Sequence, residues 1–277
     1  MTKFQVPEFN FKFSEGFEAF DYQRDAFNCV MDHIRASNDP AYIYASVSAG
    51  KSLMIAMIAK HFENVNDAAK AQGFTSSHSV LMVVRTGDLV KQNADEAWGI
   101  RCKNSIFSAG LGVKSTTYPC VMGSEKSVYN ALGKELKDFR PTVILIDECH
   151  TYPDDNPDAQ MVKMIEEFRI RNPKVKIIGL SGSPWRGRRK ILDGDFWKKE
   201  LISIDRQYLT DRGFVMPTVF GFGTGDAHYE TYLDYKPEEE GDVDLTKKEL
   251  AAMESVILKE GTRTQQIMLD VMKQMQN

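Results

Sequence analysis

Blocks of wholly apolar residues alternate with amphipathic stretches along the first two thirds of the chain. Ala41–Tyr44, Val80–Val84, Ser105–Phe107, Pro119–Met122, Thr142–Ile146 and Val175–Leu180 read as short strands. Between them, apolar residues recur at helical spacing. Tyr22, Ala26, Phe27, Val30 and Ile34 mark a helix from Asp21 to about Ile34. Further helices are predicted over Lys51–His61, Asp88–Trp98, Glu125–Phe139 and Ala159–Ile170. Strands that are apolar throughout, rather than every second residue, pair in parallel with both sheet faces covered. The pattern therefore predicts an α/β domain with a mostly parallel, doubly wound sheet, its functional loops at the carboxyl ends of the strands. Upstream, Phe9, Phe11 and Phe13 alternate with polar residues as in a half-buried strand. After Ser183 the rhythm weakens. Leu201–Ile204 and Pro217–Phe222 are predicted as late strands, and Thr246–Leu258 and Thr262–Met275 as helices.

Composition narrows the class. The 277 residues are 42% hydrophobic and 27% charged, which excludes collagen, a disordered chain and a coiled coil as whole-chain readings. The apolar run near Leu53–Ala59 is far too short to span a membrane, and the segment MTKFQVPEFN does not have the form of a secretory signal. Cys29, Cys102, Cys120 and Cys149 are scattered without a C-x-x-C pair, as expected of reduced thiols in a cytoplasm rather than of a zinc site or disulfide frame. The formal charge of −4 argues mildly against a nucleic-acid binder. Its distribution makes that a poor guide to the main body: residues 226–260 hold 11 acidic and 4 basic side chains, so the remainder of the chain is slightly basic.

Two strand ends bear candidate chemistry. Ala45-Ser46-Val47-Ser48-Ala49-Gly50-Lys51-Ser52 joins a predicted strand to a predicted helix. Small residues let backbone N–H groups close on phosphate oxygens, and the helix N-terminus adds its positive end. Ser48, Ala49 and Gly50 would line such a loop, Lys51 would reach the β- and γ-phosphates, and Ser52 would ligate Mg²⁺. Val143–Ile146 then ends in Asp147-Glu148-Cys149-His150. Asp147 is placed to hold Mg²⁺ through water, and Glu148 to act as general base on an attacking water. Taken alone, the same acids would also serve as a helix cap and first-turn charge.

Together these segments resemble the superfamily 2 helicases with a DEAD/DEAH-type box, in the restriction-motor and UvsW-like branch. Asp147–His150 stands as D-E-C-H, and Ser181-Gly182-Ser183-Pro184 is similar to the S/T-A-T motif, with Gly182 at the alanine position. Val83–Gln92 is similar to motif Ia, and Tyr22-Gln23 to the adenine-reading Y-Q. Tyr208–Val215 resembles the end of the first motor lobe. The resemblance implies that Gln23 bonds adenine and that His150, Ser181 and Ser183 link hydrolysis to strand binding. It also implies that Thr86, Gln92 and Ser127 lie along a nucleic-acid backbone. The basic run Arg186–Lys190 offers a further phosphate contact at Arg186.

The expected organisation is a Phe-rich extension over 1–20, a RecA-like ATP-binding lobe over 21–222, and an acidic linker with helices over 223–277 leading to a second RecA-like lobe. The expected activity is ATP-dependent helicase or translocase, with ATP and Mg²⁺ as cofactors and nucleic acid, DNA before RNA, as partner. Little turnover is expected of this chain alone, because the transition state calls for an arginine that the resemblance assigns to the second lobe. A viral DNA-packaging-type ATPase and a non-catalytic nucleotide- or nucleic-acid-binding module are the alternatives.

Overall fold

The computed structural model describes residues 4–217. The predicted elements at Thr246–Leu258 and Thr262–Met275, the acidic stretch, and all of Pro217–Phe222 beyond Pro217 lie outside the described residues. A short hairpin, β1 (Lys12–Ser14) and β2 (Phe17–Glu18), precedes α1 (Asp21–Ala36). Then follow β3 (Ala41–Ala45), α2 (Lys51–Ala71), β4 (Val80–Val84), α3 (Gly87–Gly99), β5 (Asn104–Ser108), β6 (Val113–Lys114), β7 (Cys120–Ser124) and α4 (Glu125–Ala131). The remainder is β8 (Val143–Asp147), α5 (Gln160–Arg171), β9 (Lys176–Ser181), β10 (Trp185–Arg186), β11 (Arg189–Lys190), β12 (Lys199–Ile204) and α6 (Arg206–Asp211).

Eight strands form one sheet in the order β12-β3-β9-β8-β4-β7-β5-β6. Every pairing is parallel except β5 with the edge strand β6. The expected α/β class with a mostly parallel sheet is thus what the chain forms. Side-chain alternation divides the core in two. Val80, Met82 and Val84 of β4, with Val143 and Leu145 of β8, pack in one apolar cluster with residues of α1, α2 and α3. Leu81, Val83, Ile144 and Ile146 pack in the other with residues of α4 and α5. This is why the strands are apolar at every position.

Three expectations change in detail. α2 runs on to Ala71, past the predicted end at His61. Phe9, Phe11 and Phe13 do not form one alternating strand; only Phe13 falls within β1, and Phe9 stacks with Phe27 at 4.6 Å between ring centroids. The helix predicted to run to Phe139 ends at Ala131. The Arg171 guanidinium takes over the carbonyls that would continue it, donating to Leu132 O at 2.8 Å and Leu136 O at 2.6 Å. The four cysteines are free thiols. Among the described residues no helix is long and apolar enough to cross a membrane.

His61 on α2 is buried among the rings of Phe9, Phe27 and Phe62. Burial, with smaller effects of Arg35 and His78, pushes its pKa down to about 4. Between that value and about 6.5, the unfolded chain binds a proton that the fold rejects, so stability falls as pH drops through this window. The loss is bounded at about 3 kcal/mol. Urea unfolding at pH 7 and pH 4.5 is expected to show a smaller acid loss for His61→Leu than for the wild type. Equal losses would remove His61 as a cause.

Candidate nucleotide site and nucleic-acid cleft

The sheet order brings three sequence-distant segments to one edge. β3, β9 and β8 are adjacent, with Tyr44 beside Ser181 and Asp147 beside Leu180 in register. Their carboxyl ends deliver, side by side, the loop Ser46–Gly50, the Ser181–Ser183 turn and the Asp147–His150 box.

The loop is tied down at its start, where Ser46 N–H donates to Ile204 O at 2.9 Å, and is curled by Ala49 N–H donating to Ser46 O at 3.1 Å. Ser48 and Gly50 have positive φ, 72° and 77°. Gly50 has a second constraint: a Cβ there would lie 2.5 Å from Gln23 Nε2. Gly50 gives α2 no side-chain cap, and its first turn holds no acidic residue. The 21-residue helix therefore begins with its leading amides unpaired and its positive end uncompensated. That is the donor set of an anion site, and it fits a nucleotide phosphate.

Lys51 Nζ lies 3.4 Å from Glu148 Oε1. Glu148 itself sits at φ 51°, a left-handed conformation rare for a residue with a Cβ, which turns its carboxylate out of the strand line. Its Oε2 is 3.4 Å from His150 Nδ1 and 3.5 Å from Gly182 N. A Cβ added at Gly182 would stand 3.1 Å from Lys51 Nζ, the free end of a flexible side chain. Asp147 is buried, and its oxygens accept from Asn93 Nδ2 and from Glu148 N–H, each at 3.0 Å. Burial raises its pKa, and the Asn93 amide opposes that shift. Ser52 Oγ is 3.4 Å from Gln92 Nε2.

The donor inventory fixes the link beyond Glu148. Ser181 Oγ donates to Ser183 O at 2.7 Å, so its single proton is committed. Its 2.8 Å contact with His150 must then be donated by Nδ1–H. Burial lowers the His150 pKa, with Glu148 opposing, so the neutral ring holds this proton at Nδ1.

A second depression of about 510 Å³ lies past the ends of β4, β5 and β7 on the same edge. Arg85, Ser108, Lys114, Lys126, Ser127 and Asn130 line it. Ser108 Oγ is buried there without a hydrogen-bond partner. Ser127 is on the wall, but its Oγ is engaged by Ala109 N–H at 2.9 Å and Ser124 Oγ at 2.8 Å. Thr86 is exposed between two lining residues, Arg85 and Gly87. Gln92 sits toward Ser52 instead. Arg186, expected on a phosphate, is paired with Asp154 at 3.0 Å and Asp155 at 2.6 Å. Gln23 is buried, its amide shared between Phe20 N–H at 3.0 Å and Ala49 O at 3.1 Å, so here it braces the loop from behind.

The sequence points to no role for Asn93 or Lys114, and places Arg85, Ser108 and Lys126 only within segments similar to the family's, without a role. Asn93 had a signal, a polar side chain in register with the buried Val90, Ala94 and Ala97 of α3. Arg85 and Lys126 did too, as cations within two residues of a strand's carboxyl end.

The family described as "Type III restriction enzyme, res subunit" matches residues 16–186, well over half of the chain. The chain belongs to this family. Its structure is that of the N-terminal lobe of a superfamily 2 helicase in the restriction-motor and UvsW-like branch. The UvsW helicase from bacteriophage T4 superposes with a TM-score of 0.50 at 20% identity, over 67% of this chain and 60% of that one. The Hef helicase domain of Pyrococcus furiosus gives 0.48 at 18% identity, over 67% of this chain and 38% of that one. This res-family lobe thus spans about 60% of the UvsW chain or less of the other. A comparison with curated proteins finds no match.

Proposed function

We propose that this lobe binds Mg²⁺ and ATP in the loop after β3, binds a nucleic-acid backbone in the basic depression, and works as the first half of a helicase or translocase. The observation that supports this most is the meeting of Lys51, Glu148 and the His150–Ser181 pair at three adjacent strand ends. In this reading the free amides of the α2 N-terminus and Lys51 bind the β- and γ-phosphates. Ser52 and Asp147 would hold Mg²⁺, which when bound neutralises charge on the phosphate oxygens. Two protein groups suffice, because Mg²⁺ in such sites keeps waters and phosphate oxygens as its other ligands. Glu148 takes a proton from the attacking water. Lys51 holds that carboxylate at Oε1, and the His150 ring stands beside Oε2 while its Nδ1–H donates to Ser181. An arginine supplied by a second RecA-like lobe completes the charge stabilisation, so this chain alone turns over little ATP.

Arg85 and Lys126 bind phosphates of the strand, with the free Ser108 hydroxyl beside them, while Lys114 is held by Glu135 at 3.0 Å. The restriction family favours DNA as that strand. Lys126→Ala tests this reading. Affinity for single-stranded oligonucleotides is expected to fall alike for all sequences, and the slope of log affinity against log salt to flatten by about 0.7. An unchanged slope would remove the depression from the strand track.

A further inference from the structure

The hairpin of β10 and β11 follows directly from the Ser181–Ser183 turn and belongs to neither site described above. Its register pairs Trp185 with Lys190 and Arg186 with Arg189 across a two-residue turn at Gly187-Arg188. Alternation in so short a ribbon puts the two pairs on opposite faces. The inner pair is neutralised. Arg186 bonds Asp154 and Asp155, and Arg189 bonds Asp154, whose side chain is only 7% exposed. The outer pair is a preformed platform: Trp185 is 46% exposed, and Lys190 Nζ stands 5.5 Å from its ring centroid. Arg188 at the turn is exposed and makes no ion pair among the described residues.

We infer that Trp185, flanked by Lys190 and Arg188, is a stacking platform for a nucleobase of the bound strand. The inference rests on the nucleic-acid reading above and adds to it a contact with a base. Charge decides the occupant. Asp154 and Asp155 are engaged by Arg186 and Arg189, and Asp193 is held on the Lys190 N–H at 3.0 Å, while Lys190 Nζ covers one face of the Trp185 ring. That combination suits single-stranded nucleic acid, where any base stacks and the phosphate beside it meets a cation. Position agrees. The hairpin leaves the same sheet edge as the basic depression, and β9 is two strands from β4, about 10 Å at ordinary strand spacing. A strand crossing this edge can meet both. The platform is also fixed to the coupling turn. Trp185 N–H donates to Ser183 Oγ at 3.1 Å, and that hydroxyl donates to Trp185 O at 3.3 Å.

The test is a salt titration of oligothymidylate binding by the whole chain, comparing wild type, Trp185→Ala and Trp185→Phe. Stacking and ion release separate here. Trp185→Ala is expected to bind about tenfold more weakly at every salt concentration with an unchanged slope, and Trp185→Phe to recover most of the affinity. An oligonucleotide bearing 5-iodouracil is expected to crosslink at Trp185 on irradiation. Wild-type binding with no loss in Trp185→Ala and no crosslink at Trp185 would overturn the platform alone. It would leave the phosphate depression standing and point to a protein surface as the hairpin's partner. Absence of oligonucleotide binding by the wild type would overturn both readings.

Discussion

Glu148→Gln is expected to stop strand-stimulated ATP hydrolysis in the full-length protein, by about 10²- to 10⁴-fold, while ATP stays bound. Glu148 is paired through Oε1 with Lys51 Nζ at 3.4 Å, and the His150 ring, whose Nδ1–H donates to Ser181, stands 3.4 Å from Oε2. About a third of its side chain is exposed, so a water can reach it. The glutamine has the same shape and still offers Lys51 an oxygen, but it cannot accept the water's proton. Binding and turnover should therefore separate: equilibrium affinity for ATP near wild type, and a long-lived ATP complex on the strand. Turnover within about tenfold of wild type would exclude Glu148 as the base and favour a non-catalytic module.

Lys51→Ala is expected to weaken ATP itself. Lys51 is the ammonium at the mouth of an uncapped helix N-terminus, with its side chain only 14% exposed. Hydrogen bonds to charged groups contribute about 1.5–3 kcal/mol, so a loss of about 10- to 100-fold in affinity is expected, read by displacement of a fluorescent ATP analogue. Lys51→Arg should not restore it. The guanidinium is a wider, planar fork and does not place its charge at the same point as the compact ammonium. Affinity equal to wild type in Lys51→Ala would mean that the loop after β3 does not hold the phosphates.

How much of this could be read in advance depended on how local each feature is. The central strands β4 and β8 were legible because burial on both faces leaves every position apolar, as in Val80–Val84 and Val143–Ile146. The loop at Ser46–Ser52 and the acids at Asp147 and Glu148 were legible as the places where such strands stop being apolar. Features set by distant partners were not. The early end of α4 depends on Arg171, more than thirty residues on. The turning of Arg186 away from the track depends on Asp154 and Asp155, and nothing near the Arg186–Lys190 run announces that pairing. Asn93 holds Asp147 only because the fold brings α3 beside the carboxyl end of β8, 54 residues on, which the helical spacing of α3 does not reveal. Gln23 shows a middle case. Its position invited an adenine contact, but its partners are two backbone groups, one of them in the phosphate loop.

Coupling between the nucleotide and strand sites is tested most directly by titrating a fluorescent ATP analogue with Mg²⁺ into the chain, with and without a single-stranded oligonucleotide. Saturable one-to-one binding is expected, tightening about fivefold or more when the strand is present, through the Glu148–His150–Ser181 link, and weakened about 10- to 100-fold in Lys51→Ala. Absence of saturable binding, or binding indifferent to both the strand and Lys51, would contradict this expectation.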